Sequence, residues 1–105
     1  MEKTIKDLQV GDVCYRIYDG TGIYCRKVVC ESIKPYGKTI GGFCDKYEIV
    51  FSLNDVKLNY ICESYRQLII DNIGFICLDK ESAIKHLLCK KEDIDNIIKE
   101  LEEEN

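Results

Sequence analysis

Residues 10–34 read VGDVCYRIYDGTGIYCRKVVCESIK, a pattern that predicts a β-hairpin. Two runs rich in β-branched and aromatic residues, 13–18 and 23–34, flank the turn-forming residues 19–22. Alternation divides the first run between two faces, with Val13, Tyr15 and Ile17 on one face and Cys14, Arg16 and Tyr18 on the other. Apolar residues occur on both faces of the second run, which is typical of a strand that bends between two layers of a small barrel.

The residues around this hairpin predict a short lead-in and more sheet. Residues 3–9 predict a single helical turn in which Ile5 and Leu8 point inward. Residues 34–37, KPYG, predict a turn, because proline fixes φ and glycine accepts a positive φ. The clearest alternation is in residues 46–53, whose inward set is Tyr47, Ile49, Phe51 and Leu53. Further strands are predicted at 56–62, 66–70 and 73–78.

At Asp79 the period of the apolar residues changes from two to about 3.6, which predicts a helix. Asp79 is a suitable N-cap. The apolar stripe consists of Ala83, Ile84, Leu87, Leu88, Ile94, Ile97, Ile98 and Leu101. One long helix fits this stripe, and so do two helices with a break at residues 90–91. The chain is therefore expected to be a single α+β domain, 1–105, with a small antiparallel sheet or barrel of about five to six strands in 10–78 and a helical segment in 79–105.

The formal net charge of −4 lies in the helical segment. Residues 1–78 contain ten basic and ten acidic side chains, whereas residues 79–105 contain five basic and nine acidic ones. The acidic side chains at the end of the helix, Glu100, Glu102, Glu103 and Glu104, meet the negative end of its dipole, which is unfavourable. Such a segment is either a frayed solvated tail or a surface that docks on a basic partner.

Seven cysteines stand at separate positions with no C-x-x-C spacing, and several replace a strand Val or Ala. They are expected to be reduced and to serve as small hydrophobic residues, with a metal site built from scattered strands as the alternative. No cofactor is expected. The start of the chain lacks the apolar segment of a secretory signal and no apolar run suits a membrane helix, so we expect a cytoplasmic protein without membrane contact.

Catalysis would have to use the only histidine, His86. Cys89 lies one helical turn away, at a spacing that suits a thiolate–imidazole pair. Both residues, however, flank the apolar stripe of an amphipathic helix, and no oxyanion donor can be assigned near them. The sequence therefore predicts a protein that is not an enzyme.

Residues 8–17, LQVGDVCYRI, resemble the opening of many SH3-like barrel proteins, including short ones encoded by phages and low-GC bacteria. Such chains often end in an aromatic-led strand that runs into a Lys/Glu-rich helix, and residues 75–84, FICLDKESAI, are similar to that ending. Cys14 and Asp79 depart from the usual Val or Lys and from the usual Ser or Thr, without changing the physical roles. The resemblance implies an SH3-like barrel and a phage or mobile-element genome, and it implies no active site.

These observations favour a non-catalytic binding protein that acts by occluding a host protein, for example as an anti-CRISPR-like inhibitor of a bacterial defence system. The residues expected to contact that partner are acidic side chains of the helix, Asp95, Glu100, Glu102, Glu103 and Glu104, which would imitate the charge of a nucleic acid. The apolar stripe also predicts a homodimer through the C-terminal helix.

The alternative function is a binding site for a small ligand, a nucleotide or single-stranded RNA on a tyrosine-lined face of the sheet. Its residues would be Tyr15, Tyr24, Tyr47 and Arg26, which would have to converge on an open surface. A nucleic-acid partner is less favoured than a protein partner, because a charge-neutral sheet and an acidic helix provide little phosphate neutralisation.

Overall fold

The computed structural model describes residues 3–20, 22–42 and 44–103. A 3₁₀ turn, Ile5–Asp7, precedes strands β1 (Val13–Asp19), β2 (Ile23–Lys38), β3 (Asp45–Leu53), β4 (Val56–Glu63), β5 (Leu68–Asp71) and β6 (Gly74–Cys77), and helix α1 (Lys80–Glu103) follows. The strands pair antiparallel in the order β4-β3-β2-β1-β6-β5 and curl into a nearly closed barrel. The α+β architecture predicted from the sequence is confirmed, and its shape is consistent with an SH3-like barrel.

The hairpin of β1 and β2 lies at the centre of the sheet, as residues 10–34 predict. Its register pairs Tyr18 with Tyr24 and Val13 with Val29. Thr21, within the predicted turn at 19–22, lies outside the described residues. β2 is 16 residues long and pairs with β1 through its first half and with β3 through its second half. This length allows one strand to belong to both layers of the barrel, which explains its apolar residues on both faces.

The turn predicted at residues 34–37 is wrong, because β2 continues through Pro35 to Lys38. A register shift against β3 lies between Pro35 and Gly37, and a bulge of this kind accommodates a proline that cannot donate to the ladder. The chain reverses a few residues later, where the N–H of Gly42 donates to the carbonyl of Thr39 at 2.8 Å. Gly41 and Gly42 have φ values of 90° and 72° and so supply the left-handed conformation that this turn needs.

The barrel interior confirms the alternation read in residues 46–53. Ile49 and Phe51 are fully buried, and Tyr47 and Leu53 pack against the same cluster. Ile5 and Leu8 of the lead-in close this core from one side, as expected. The other buried members come from the remaining five strands and the segment after β6: Cys14, Val28, Cys30, Cys62, Ile69, Ile76 and Leu78.

Helix α1 is one continuous helix, so the break considered at residues 90–91 does not occur. Its N-cap is Asp79, whose Oδ1 accepts a hydrogen bond from the N–H of Ser82 at 2.7 Å. Ala83 and Leu87 pack on the outer face of the sheet, in a second cluster with Ile17 and Cys77. Every described side chain from residue 91 onward is exposed. Among the described residues, no helix combines the length and hydropathy that a membrane crossing requires.

Candidate functional site

The second half of α1, residues 91–103, forms an exposed helical arm that we call distal α1. A rise of 1.5 Å per residue gives it a length of roughly 20 Å. Its four large aliphatic side chains are only half covered, with exposed fractions of 46% for Ile94, 56% for Ile97, 48% for Ile98 and 62% for Leu101. The apolar stripe predicted from the sequence therefore extends past the part of the helix that the barrel covers.

Distal α1 is also strongly acidic. It contains two lysines, Lys91 and Lys99, and six carboxylates, Glu92, Asp93, Asp95, Glu100, Glu102 and Glu103. None of the six forms an ion pair with another residue in the described ranges. The predicted partner-binding residues Asp95, Glu100, Glu102 and Glu103 thus share one exposed arm, and Glu104 lies outside the described residues.

The first half of α1 is anchored to the barrel by mixed contacts. The His86 ring packs on Phe75 with centroids 5.3 Å apart, and the ammonium of Lys90 pairs with the carboxylate of Asp19 on β1. Cys89 is exposed beside them. His86 is therefore a packing residue at the junction of helix and sheet.

A pocket of about 470 Å³ opens at one end of the barrel, and we call it the mouth pocket. It is lined by Tyr18, Tyr24, Arg26, Leu53 and Asn54. The β1–β2 register places Tyr18 opposite Tyr24 and Arg16 opposite Arg26, so alternation directs these four side chains to one face of the hairpin. Arg26 is exposed and has no ion pair or hydrogen bond with any other described residue.

The structure brings together only part of the predicted tyrosine face. Tyr24 and Arg26 share the mouth pocket. Tyr15 instead lies under α1, packed against Ile17 and Cys77 on the opposite face of β1. Tyr47 packs against the main core and lines a separate depression with Pro35. The four residues therefore do not converge on one open surface.

Tyr18 lines the mouth pocket but is not among the residues predicted for a ligand site. The signal was available, because pairing the two runs symmetrically about the turn at 19–22 places Tyr18 opposite Tyr24. Arg16 was also missed, and its guanidinium carbon lies 4.8 Å from the centroid of the Tyr18 ring, a cation–π contact. No sequence pattern marks Arg16 as buried, yet it is 3% exposed.

Arg16 belongs to a hydrogen-bonded triad inside the barrel. Its Nη1 lies 2.5 Å from the phenolic oxygen of Tyr60 and 2.6 Å from Oδ2 of Asp71. Burial acts to raise the pKa of Asp71, but hydrogen bonds from the Ile73 N–H, Tyr60 and Arg16 outweigh it and hold that pKa below its usual value. Burial and the bond to Asp71 raise the pKa of Tyr60, so the phenol remains a donor. Arg16 is thus occupied by Tyr60 and Asp71 in a structural contact. Arg26 is the cationic residue of the mouth pocket lining that can bind a ligand.

The buried thiols are poorly suited to nucleophilic or metal chemistry. Burial raises the pKa of Cys14 to about 12 and that of Cys77 to about 11, which keeps both protonated at neutral pH. Within residues 3–20, 22–42 and 44–103, no group of three or more His, Cys, Asp or Glu side chains is arranged to hold a metal ion.

Comparisons of this chain with protein-family models, with curated proteins and with solved structures return no match. Distal α1 and the mouth pocket are therefore the two candidate functional surfaces.

Proposed function

We propose that this chain is a non-catalytic binding protein that uses distal α1 to engage a basic surface on another protein. The observation that carries the proposal is the exposed arm itself, in which every described side chain from residue 91 to 103 is accessible. An isolated helix of this length is marginal in water, and an arm whose described side chains are all exposed adds little to the stability of the fold. A binding role gives the arm a purpose that packing does not.

The charge of distal α1 favours a partner that ordinarily binds nucleic acid. Six carboxylates along roughly 20 Å form a linear array of negative charge, as phosphates do along a strand. Three of them, Glu100, Glu102 and Glu103, occupy the last turn, where the helix dipole disfavours negative charge. A basic partner surface would relieve this repulsion on binding.

The finer proposal is that the partner is a host protein of a bacterial defence system and that binding occludes its nucleic-acid site, in the manner of an anti-CRISPR protein. Its support is the resemblance of residues 8–17 and 75–84 to short SH3-like proteins of phages and low-GC bacteria, together with the acidic arm. Occlusion requires no catalytic group, which agrees with the packing role of His86.

The test is affinity capture from a lysate of the bacterial host with the immobilised chain. One variant neutralises the arm (Glu100→Gln, Glu102→Gln, Glu103→Gln), and a matched control neutralises three barrel carboxylates (Asp45→Asn, Glu48→Gln, Asp55→Asn). Both raise the formal net charge by three. We expect a captured nucleic-acid-binding protein that is released by added duplex DNA, is lost with the arm variant and is retained with the control.

Two results would contradict this function. The first is that no protein is captured, and the second is that capture is equal for the two triple variants. In either case the carboxylates of distal α1 are not a binding surface.

A second candidate function has its own observation, the pairing of two tyrosines with an unpartnered arginine in the mouth pocket. Mouths of β-barrels commonly bind small molecules, and about 470 Å³ suits a nucleotide. We infer that the ligand would stack its ring on Tyr18 or Tyr24 and place a phosphate on Arg26.

Titration of nucleoside monophosphates and short single-stranded RNA into the protein, followed by tyrosine fluorescence, tests the mouth pocket. The chain contains no tryptophan to mask the signal. Arg26→Met is expected to weaken binding about tenfold or more, the size of a lost charge-assisted contact. Lys27→Met, on the opposite face of the same strand, is the matched control. The absence of any signal change at millimolar ligand would rule out this function.

A further inference from the structure

The apolar stripe of α1 has the spacing of a helix–helix seam. Positions 84, 87, 91, 94, 98 and 101 are separated alternately by three and four residues, the a/d spacing of a heptad repeat. Five of the six are Ile or Leu and the sixth is Lys91. Leu87 is half-buried against the barrel, whereas the aliphatic side chains at the other four positions are 46% to 62% exposed. A contiguous apolar run of this kind marks an association surface.

The seam is symmetric about its own midpoint. Positions 84 and 101, 87 and 98, and 91 and 94 are equidistant from the point between residues 92 and 93. A twofold axis through that point would therefore match each seam residue of one helix with a seam residue of an antiparallel copy. Closed twofold pairing of identical surfaces is the commonest oligomeric arrangement.

The charges of α1 discriminate between the two orientations of a pair. Residues 80–91 contain four lysines and Glu81, a net charge of +3, and residues 92–103 contain six carboxylates and Lys99, a net charge of −5. Lys90 pairs with Asp19. The N-terminal half stays positive even when Lys85 and Lys90 are both left out of the count, because Lys80 and Lys91 then stand against Glu81 alone. A parallel pair sets the two acidic halves side by side, whereas an antiparallel pair sets each acidic half against a basic half.

We propose that α1 binds α1 of a second copy of this chain in antiparallel orientation, through the seam 84-87-91-94-98-101. Ile84 then packs on Leu101 of the second copy. The methylenes of Lys91 cover Ile94 of the second copy, and the ammonium of Lys91 approaches Asp95 of that copy. The pairing also relieves the acidic C-terminal turn, because that turn lies beside the N-terminal half and positive dipole end of the other helix.

This inference deepens the proposed function, since it rests on α1 being an interaction surface, and it divides that surface in two. The seam is covered by the second copy. Glu92, Asp93, Glu100 and Glu103 lie on the side of the helix away from the seam, by their heptad positions, and remain available to a basic partner.

Sedimentation and light scattering of the full chain under reducing conditions, from micromolar to near-millimolar concentration, test the pairing. We expect twice the 12.2 kDa chain mass. Ile98→Glu is expected to yield a monomer with unchanged barrel, because Ile98 lies on the arm. Ile40→Glu, which changes a fully exposed aliphatic residue in a turn, is the matched control and is expected to remain dimeric.

Disulfide trapping tests the orientation, in a chain whose exposed Cys25 and Cys89 are replaced by Ser. Ile84→Cys and Leu101→Cys chains are mixed and oxidised. Antiparallel pairing predicts the mixed disulfide, whereas a parallel pair gives the Leu101→Cys homodisulfide and would overturn the orientation.

A chain that is monomeric throughout the concentration range would overturn the second-copy inference, and so would a dimer that Ile98→Glu leaves intact. The proposed function fails separately. Loss of capture with the Glu100, Glu102 and Glu103 variant, in a chain that still dimerises, supports the binding function. A monomer that still captures its partner rejects the dimer while the binding function stands.

Discussion

The phenolic O–H of Tyr60 donates a hydrogen bond to Oδ2 of Asp71 at 2.8 Å, and this bond joins the two edge strands of the sheet, β4 and β5. Arg16, from the central strand β1, contacts both groups from inside the barrel. Main-chain hydrogen bonds do not join β4 to β5, so the side-chain triad connects these two edges of the barrel. The triad is charged and largely buried, which makes it sensitive to the loss of any one member.

Asp71→Asn is expected to destabilise the protein by about 3 kcal/mol, because it leaves the Arg16 guanidinium buried without its counter-charge. Tyr60→Phe is expected to cost about 1–2 kcal/mol, the value of a hydrogen bond to a charged group. Urea denaturation measures both. Glu31→Gln, which breaks the surface pair of Glu31 with Lys57, is the control and is expected to change the free energy of unfolding much less. Equal changes in the free energy of unfolding for Asp71→Asn and Glu31→Gln would show that the triad does not hold β4 and β5 together.

The triad also predicts a loss of stability in acid. The folded-state pKa of Asp71 lies below its unfolded value, so its contribution is fully present above the unfolded pKa of about 4 and is lost as the pH falls through the lower folded pKa. Protonated Asp71 resembles asparagine, and we therefore expect the destabilisation by Asp71→Asn to be largest near neutral pH and to shrink below pH 4. Denaturation of both proteins across this range measures the difference. A difference in the free energy of unfolding that does not change with pH would show that Asp71 is not ionised in the triad.

Gly74 marks a close approach between β6 and β1. A Cβ at this position would overlap the carbonyl oxygen of Ile17, a main-chain atom that cannot move without separating the strands. Gly74→Ala is therefore expected to destabilise the protein by about 2–3 kcal/mol, as overpacking does. At Gly20 a Cβ meets no atom within 4 Å, so Gly20→Ala is expected to change stability by about 0.5 kcal/mol or less. Thermal denaturation compares the two, and similar melting temperatures would exclude the close approach.

Cysteine reactivity reports on the docking of α1 and the closure of the barrel. Cys25 and Cys89 are exposed and are expected to react quickly with iodoacetamide in the native protein, with partly buried Cys44 slower. Burial raises the pKa of Cys14, Cys30, Cys62 and Cys77, which are expected to react only after unfolding. Mass mapping of the labelled sites measures this order. Fast labelling of Cys77 would show that α1 does not cover it.

Features set by neighbouring residues were predicted correctly. The alternation in residues 46–53, the N-cap at Asp79 and the 3.6-residue period of α1 depend on side chains within a few positions, so the sequence contains their cause. The turn predicted at residues 34–37 failed because pairing of β2 with β3 outweighed the local preference of Pro35 and Gly37, and a bulge absorbed the conflict.

The functional surfaces divide in the same way. The acidic arm and its apolar stripe follow from composition and period. Both are exposed because α1 extends beyond the part of the sheet that covers its first half. The tyrosine face does not follow from the sequence, because the tertiary structure decides which face of β1 is covered by α1. Tyr15 lies on the covered face and is partly buried, whereas Tyr24 is exposed. The β1–β2 register placed Tyr18 opposite Tyr24.

By itself the sequence determined the type of most elements, since the alternation of the strands and the 3.6-residue period of α1 are patterns among near neighbours. It did not determine the continuation of β2 to Lys38, which depends on pairing with β3. Only the tertiary structure decided that the barrel closes on Arg16, Tyr60 and Asp71. Arg16 and Tyr60 are 44 residues apart in the sequence, and Tyr60 and Asp71 face each other across the gap between the edge strands β4 and β5. A buried charge is stable only where its partners converge. That convergence depends on the path of the whole sheet, which no local pattern encodes.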